Sequence, residues 1–147
     1  MQVSSSKIVP PALPPGNAEI ANALRIGLRA LAKAVTVISC RHGNTRYAMT
    51  ATAVNELSMD PPSMLICVNK SAGLFVPLAA GAHFCINILQ ASQAEISALC
   101  SGKVRGEARF AVGSWGDSIL GPPYLQEAQA SFVCRNVSKQ EFGTHGI

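Results

Sequence analysis

Apolar and polar residues change rhythm several times along this chain, and each change marks an element. Ile20, Leu24, Leu28 and Leu31 recur at spacings of three and four, while Arg25, Arg29 and Lys33 recur every four on another face. That is the period of an amphipathic helix. Asn17 offers a side-chain acceptor to the free N–H groups of the first turn, and Glu19 a carboxylate beside them. A helix is therefore predicted over residues 17–34, with Gly27 as its weak point. Its basic stripe reads first as a solvated face and second as a binding surface.

From residue 35 the pattern turns to strands. Val35-Thr36-Val37-Ile38-Ser39-Cys40 is a β-branched run, His42-Gly43-Asn44 a turn, and a long strand is predicted over residues 45–57. Asp60-Pro61-Pro62 breaks it. A buried strand follows over 64–69, then a turn at Ser71-Ala72-Gly73 into a short helix through Leu78 to Ala80, and a strand over 83–89. Ser92-Gln93-Ala94-Glu95 has the spacing of a capping box, with Ile96, Leu99 and Cys100 along one helical face behind it. Residues 101–126 read as a loop anchored on Trp115, residues 131–137 as a strand, and residue 141 starts another. Residues 1–16, ending in Pro10-Pro11-Ala12-Leu13-Pro14-Pro15-Gly16, form a flexible Pro-rich tail, leaving one domain over residues 17–147.

Strands outnumber helices and follow one another through turns. This predicts a mainly β fold with decorating helices, closed or nearly closed into an antiparallel barrel, because a small sheet must hide its edges. The absence of alternating βαβ units and of a GxGxxG motif speaks against a doubly wound dinucleotide fold.

Composition narrows the class further. Of 147 residues, 48% are apolar and 14% charged, enough for a core and too little charge for a disordered chain. Aromatics at 5% argue against a base-stacking surface, and a net charge of +4 suits an anionic small molecule better than nucleic acid. The five cysteines contain no CxxC, and three lie inside apolar runs, as buried small hydrophobes do. No apolar segment follows the first residues as in a signal peptide, and no run of 18 apolar residues suggests a membrane span. A reducing cytoplasm is the expected compartment.

Self-contained catalytic apparatus is missing. His42, His83 and His145 lack metal-ligand spacing, no GxxxxGK[ST] or GxSxG occurs, and the carboxylates are scattered. No catalytic side chain and no metal ligand is assigned, and an enzyme built this way borrows its chemistry from a cofactor. Three stretches remain as candidates. Tyr47-Ala48-Met49-Thr50-Ala51-Thr52-Ala53-Val54 sets small and hydroxyl residues where a strand carries bulk, which lets a planar ring approach the backbone; an ordinary strand fits equally. Asn69-Lys70-Ser71-Ala72 offers a cation, a hydroxyl and turn N–H groups as a phosphate seat, or else a solvated lysine. Lys103, Arg105 and Arg109 form a cationic loop, solvated or binding.

The order of these segments resembles the flavin reductase-like family, the small reductase components of two-component flavin monooxygenases. The resemblance rests on Ala34-Val35-Thr36-Val37-Ile38, on Met49-Thr50-Ala51-Thr52-Ala53-Val54 followed by Ser58-Met59-Asp60-Pro61-Pro62, and on the stretch from Leu65 to Ser71. It continues through Phe84-Cys85-Ile86-Asn87-Ile88-Leu89, Arg109-Phe110-Ala111, Trp115, Gly121-Pro122-Pro123-Tyr124-Leu125 and Phe142-Gly143-Thr144-His145. It implies an FMN-binding split β-barrel, with FMN or FAD as cofactor and NADH or NADPH as co-substrate. It further implies a homodimer and a partner monooxygenase that receives reduced flavin. It sets Met49, Thr50, Ala51 and Thr52 along the flavin ring, Thr36 and Val37 near it, and Asn69, Lys70 and Ser71 at the ribityl-phosphate end. Arg109 and Phe110 close over the cofactor, and His145 lies on the nicotinamide side, in a triplet where Thr144 replaces the commoner Asp. The family barrel runs on for a further strand and tail beyond this triplet, so the domain is expected to be shortened at its C-terminus. A non-catalytic flavin- or haem-binding protein and a flavin-dependent reductase of another substrate, such as a corrin, are the competing functions.

Overall fold

The computed structural model describes residues 18–147, in two compact units divided between Lys33 and Ala34. The predicted tail over 1–16 lies outside the described residues. In the first unit, helix α1 (Ala18–Leu28) is shorter than its periodicity predicts. Beyond it the bonds Arg29 N to Ile26 O and Ala30 N to Gly27 O, at 3.1 and 3.0 Å, span three residues instead of four. The helix thus tightens and ends just after Gly27, the residue that costs it most backbone entropy. No described helix is long and apolar enough to cross a membrane.

The second unit is built on a four-stranded antiparallel sheet in the order β2-β1-β6-β9, made of β1 (Thr36–His42), β2 (Thr45–Ala51), β6 (Phe84–Ile88) and β9 (Ala130–Cys134). Gly43, at φ +58°, turns the β1–β2 hairpin in the left-handed region that glycine adopts freely. Strand β1 is apolar on both faces because both are covered. Ile38, Cys40 and Ala51 pack with Ile66, Leu74, Phe84 and Ile86 on one side. Val37 and Ala48 pack with Ile96, Cys100, Phe110 and Leu125 on the other. The cysteines behave as the sequence suggests: burial pushes the Cys40 and Cys85 thiols up to about 12. It lifts Cys100 to about 11, against the opposing pull of the Arg109 charge.

A buried amide ties four strands together. Asn87, fully inaccessible on β6, donates to Val37 O at 2.9 Å and Ser39 Oγ at 3.0 Å on β1. Its Oδ1 accepts from Leu125 N at 2.8 Å on β8 (Pro123–Leu125) and Ser131 Oγ at 3.1 Å on β9. Each of its polar atoms is thereby satisfied.

The remaining strands form three small antiparallel ladders. β3 (Val54–Met59) pairs with β4 (Pro62–Ile66), β7 (Trp115–Asp117) with β8, and β10 (Glu141–Phe142) with β11 (His145–Gly146), which in turn pairs with β5 (Val68–Asn69). Two short helices, α2 (Phe75–Ala79) and α3 (Ala94–Cys100), decorate the strands.

Several details depart from the periodicity. The strand predicted over 45–57 is two strands, interrupted at Thr52-Ala53, and Leu57 is the extra residue of a bulge between the pairs Glu56–Met64 and Ser58–Ser63. The capping box is not Ser92 to Glu95. Gln90, extended at φ −76° and ψ 159°, exchanges bonds with Gln93 three residues on, and Ser92 already lies inside the turn that leads into α3. The predicted loop over 101–126 holds a 3₁₀ turn (Gly106–Phe110), β7 and β8. Trp115 does anchor it, donating to Val112 O at 2.9 Å and meeting the Phe110 ring edge-on at 4.9 Å between centroids. The segment from residue 141 is a tight hairpin rather than one strand, turned by Gly143 at φ +52°.

Candidate functional site

The interruption at Thr52-Ala53 is the first element of the site. Strand β2 ends at Ala51, whose carbonyl accepts the Thr36 hydroxyl at 2.8 Å. Two residues later the chain joins the β4–β5 connection through Cys67 N to Ala53 O at 3.0 Å. Between these fixed points, neither Thr52 nor Ala53 gives its N–H to an acceptor among the described residues. The exposed Thr52 hydroxyl is also unengaged. The result is a short run of polar backbone flanked by small side chains, where bulk does not hold a ligand away.

The second element lies two residues beyond Cys67. Asn69 closes β5 with a side-chain turn: its Oδ1 accepts from Ser71 N at 2.9 Å and Ser71 Oγ at 2.8 Å. Ala72 N bonds Asn69 O, and Lys70 N bonds Thr144 O, both at 2.9 Å. The N–H groups of residues 70–72 are thus consumed inside the protein. This corrects the expectation that they line a phosphate seat; what the turn offers are side chains. Asn69 and His145 are register partners, and Thr144 Oγ1 lies 2.9 Å from His145 Nδ1. Lys70 Nζ pairs with Glu141 Oε2 at 2.6 Å. Hairpin β10–β11 is seated closely as well, since a Cβ on Gly146 would stand 2.6 Å from the Phe75 ring.

The other predicted residues sit differently. Thr50 gives its hydroxyl to Ser97 O of α3 at 2.7 Å. Val37 and Phe110 are buried in the cluster under α3, and Ala51 in the opposite cluster, against which the half-buried Met49 packs. Arg109 donates to Val104 O at 2.7 Å and to Ala48 O, and the Arg46 guanidinium lies over the Phe110 ring at 4.2 Å while pairing with Glu107. The structure therefore joins the Thr52-Ala53 interruption to the strand leading into the Asn69-Lys70-Ser71 turn through Cys67, and His145 to Asn69 through the β5–β11 pairing. Thr36 bonds the end of β2 beside them, and Ala51 lies in the cluster that holds Ile66 and Val68. Val37, Thr50 and Phe110 lie on the α3 side of the sheet, and the Arg109 guanidinium is spent on backbone carbonyls. Ala53 and Glu141 were not legible as site residues: an alanine carries no signal for an open N–H, and Glu141 reaches Lys70 only through hairpin pairing.

A flavin fits this donor set. Its ring carries acceptors along one edge that open N–H groups and a hydroxyl can meet, and its ribityl and phosphate groups call for amide, hydroxyl and ammonium donors. Thr52 and Ala53 supply the first kind, and the Asn69 turn carries the second, with Ser71 Oγ turned to Asn69 Oδ1 and Lys70 Nζ to Glu141 Oε2.

Comparisons with known proteins agree. Residues 28–147 match the flavin reductase like domain. The chain is 34% identical to the FMN reductase (NADH) RutF of Variovorax paradoxus (strain S110), over 99% of its own length and 79% of that protein's. It is 39% identical to the reductase component of the FADH(2)-dependent resorcinol hydroxylase of Rhizobium sp. (strain MTP-10005), over 84% of this chain and 70% of that one. The NADH:FAD oxidoreductase SgcE6 of Streptomyces globisporus C-1027 superposes with a TM-score of 0.79 at 27% identity, covering 93% of this chain and 82% of that one. With mainly antiparallel strands and a few short helices among its described residues, this chain belongs to the flavin reductase-like family.

Proposed function

We propose that the protein is an NAD(P)H-dependent flavin oxidoreductase that reduces FMN or FAD and supplies the reduced flavin to a partner monooxygenase. The relatives support this reading: one is named an FMN reductase (NADH), another is the reductase component of a hydroxylase, and SgcE6 was also solved in complex with NAD and FAD fragments. The observation that carries it is the pair of open N–H groups at Thr52 and Ala53, beside the Asn69 turn. When bound, the flavin supplies the hydride chemistry. The protein's task is to hold the ring edge on Thr52 and Ala53, the ribityl-phosphate end on Asn69, Lys70 and Ser71, and the nicotinamide on the His145 side. No side-chain acid or base is required for that task, only placement.

In this reading the four ladders are the walls of a split barrel, and the protein works in the cytoplasm as a homodimer. Edge strand β9 exposes Phe132 and Val133 at 43% and 38%, and hairpin β3–β4 exposes Leu57 and Met59 at 64% and 82%. Such apolar edges are the surfaces that a second copy covers. Light scattering at micromolar concentration is expected to give twice the chain mass; the mass of a single chain would contradict the dimer.

The ring contact has its own test. Ala51→Leu is not the right probe, because Ala51 faces the core and a larger side chain there would strain the packing directly. Thr52→Pro removes one open N–H at an exposed position just after strand β2, where the preceding residue is extended as a following proline requires. It is expected to weaken FMN and riboflavin alike, by about 1 kcal/mol or roughly fivefold. Titration by flavin fluorescence reads this, and unchanged affinity in the folded variant would remove the ring from this segment.

A further inference from the structure

The one cation at the Asn69 turn is not free to meet a phosphate. Lys70 Nζ lies 2.6 Å from Glu141 Oε2, with the lysine side chain 36% exposed and the glutamate side chain 63% exposed. Glu141 is carried there by hairpin β10–β11, which is fixed to β5 by the pairs His145–Asn69 and Gly146–Val68 and by Lys70 N to Thr144 O. The carboxylate is thus delivered by the same element that brings His145 to Asn69. A phosphate approaching Lys70 meets a carboxylate already bound to it, and its own charge of about −1.5 to −2 is repelled by that group.

Resting on the flavin site proposed above, we infer that Glu141 is a specificity-determining residue: its carboxylate competes with the flavin phosphate for Lys70. It holds FMN affinity down relative to flavins without a phosphate at that position. This suits a reductase that must let its reduced flavin go, because tight anchoring of the phosphate would slow release. The competition belongs to an exposed pair, so it is modest and screened by salt.

Three variants titrated with FMN and with riboflavin by fluorescence test this. Glu141→Gln is expected to tighten FMN about two- to fivefold at low salt and leave riboflavin unchanged, the gain shrinking as salt rises. Glu141→Asp, which keeps the charge, should resemble the parent protein. Lys70→Ala should weaken FMN and leave riboflavin unchanged, which checks the underlying site. If Lys70→Ala behaves so while Glu141→Gln leaves FMN unchanged, the site stands and the competition is overturned. If Glu141→Gln weakens both flavins, the carboxylate is a staple of the hairpin and the inference fails. If Lys70→Ala has no selective effect, the phosphate does not sit at Lys70, and the inference falls together with the site.

Discussion

Asn87→Leu is expected to cost the fold on the order of 3–5 kcal/mol, the largest loss of any single substitution considered. Leucine fills a similar space but strands the partners of a fully buried amide. Leu125 N and Ser131 Oγ lose their acceptor, and Val37 O and Ser39 Oγ lose a donor. Leu125 N is left without an acceptor at a cost of about 1–3 kcal/mol, and the bonds lost at Val37 O, Ser39 Oγ and Ser131 Oγ add to it, although Ser39 Oγ still reaches Pro123 O and Ser131 Oγ still reaches Leu125 O. The melting temperature should fall by about 10 °C or more. A variant melting within a degree or two of the parent would show that Asn87 does not join β1, β8 and β9 to β6.

Alkaline solution should destabilise the protein by a comparable amount. Cys40 and Cys85 have folded-state values raised from 9.0 to about 12, and Cys100 from 9.0 to about 11, because burial disfavours the thiolate. The sign follows from proton counting: above pH 9 the unfolded chain releases these protons and the folded chain keeps them. The contribution is fully present below about pH 9 and is lost as pH rises toward 11 and 12. Each thiol contributes a slope of about 1.4 kcal/mol per pH unit inside that window, so three together remove on the order of 4 kcal/mol by pH 10. Urea unfolding at pH 8 and pH 10 measures it, and replacing the three cysteines by alanine should flatten the difference. Equal stability of the parent protein at both values would contradict the burial.

The sheet was legible because its pattern has one dominant cause. A run such as Val37-Ile38-Ser39-Cys40 has no polar face, so a strand covered on both sides follows, and the flanking turn at Gly43 sets the hairpin. What the pattern hid are features decided by partners distant in sequence. The interruption at Thr52-Ala53 lies inside apparently continuous strand residues, and only the bond from Cys67 to Ala53 O reveals it. Strands β7 and β8 read as loop because their glycines and prolines mask a ladder that depends on the buried Leu125 and the half-buried Trp115.

The site shows the same division. Asn69, Lys70 and Ser71 stood out by residue type and His145 through the resemblance, and the β5–β11 ladder pairs His145 with Asn69. Val37 and Phe110, named from the resemblance, are core residues of the cluster under α3. A strand sequence cannot say which face a ligand meets when both faces carry apolar or small residues. Glu141 illustrates the opposite case: nothing in Glu141-Phe142-Gly143 marks it, yet hairpin geometry sets it on Lys70.

The most direct test of the central claim is anaerobic NADH oxidation by the purified chain with free FMN in excess, followed by filtration to separate protein from small molecules. The account predicts NADH loss that saturates with FMN, matched by reduced FMN recovered in the filtrate. NADH consumed no faster than by free FMN alone, with protein that binds FMN normally, would contradict it and leave a flavin carrier in place of a reductase.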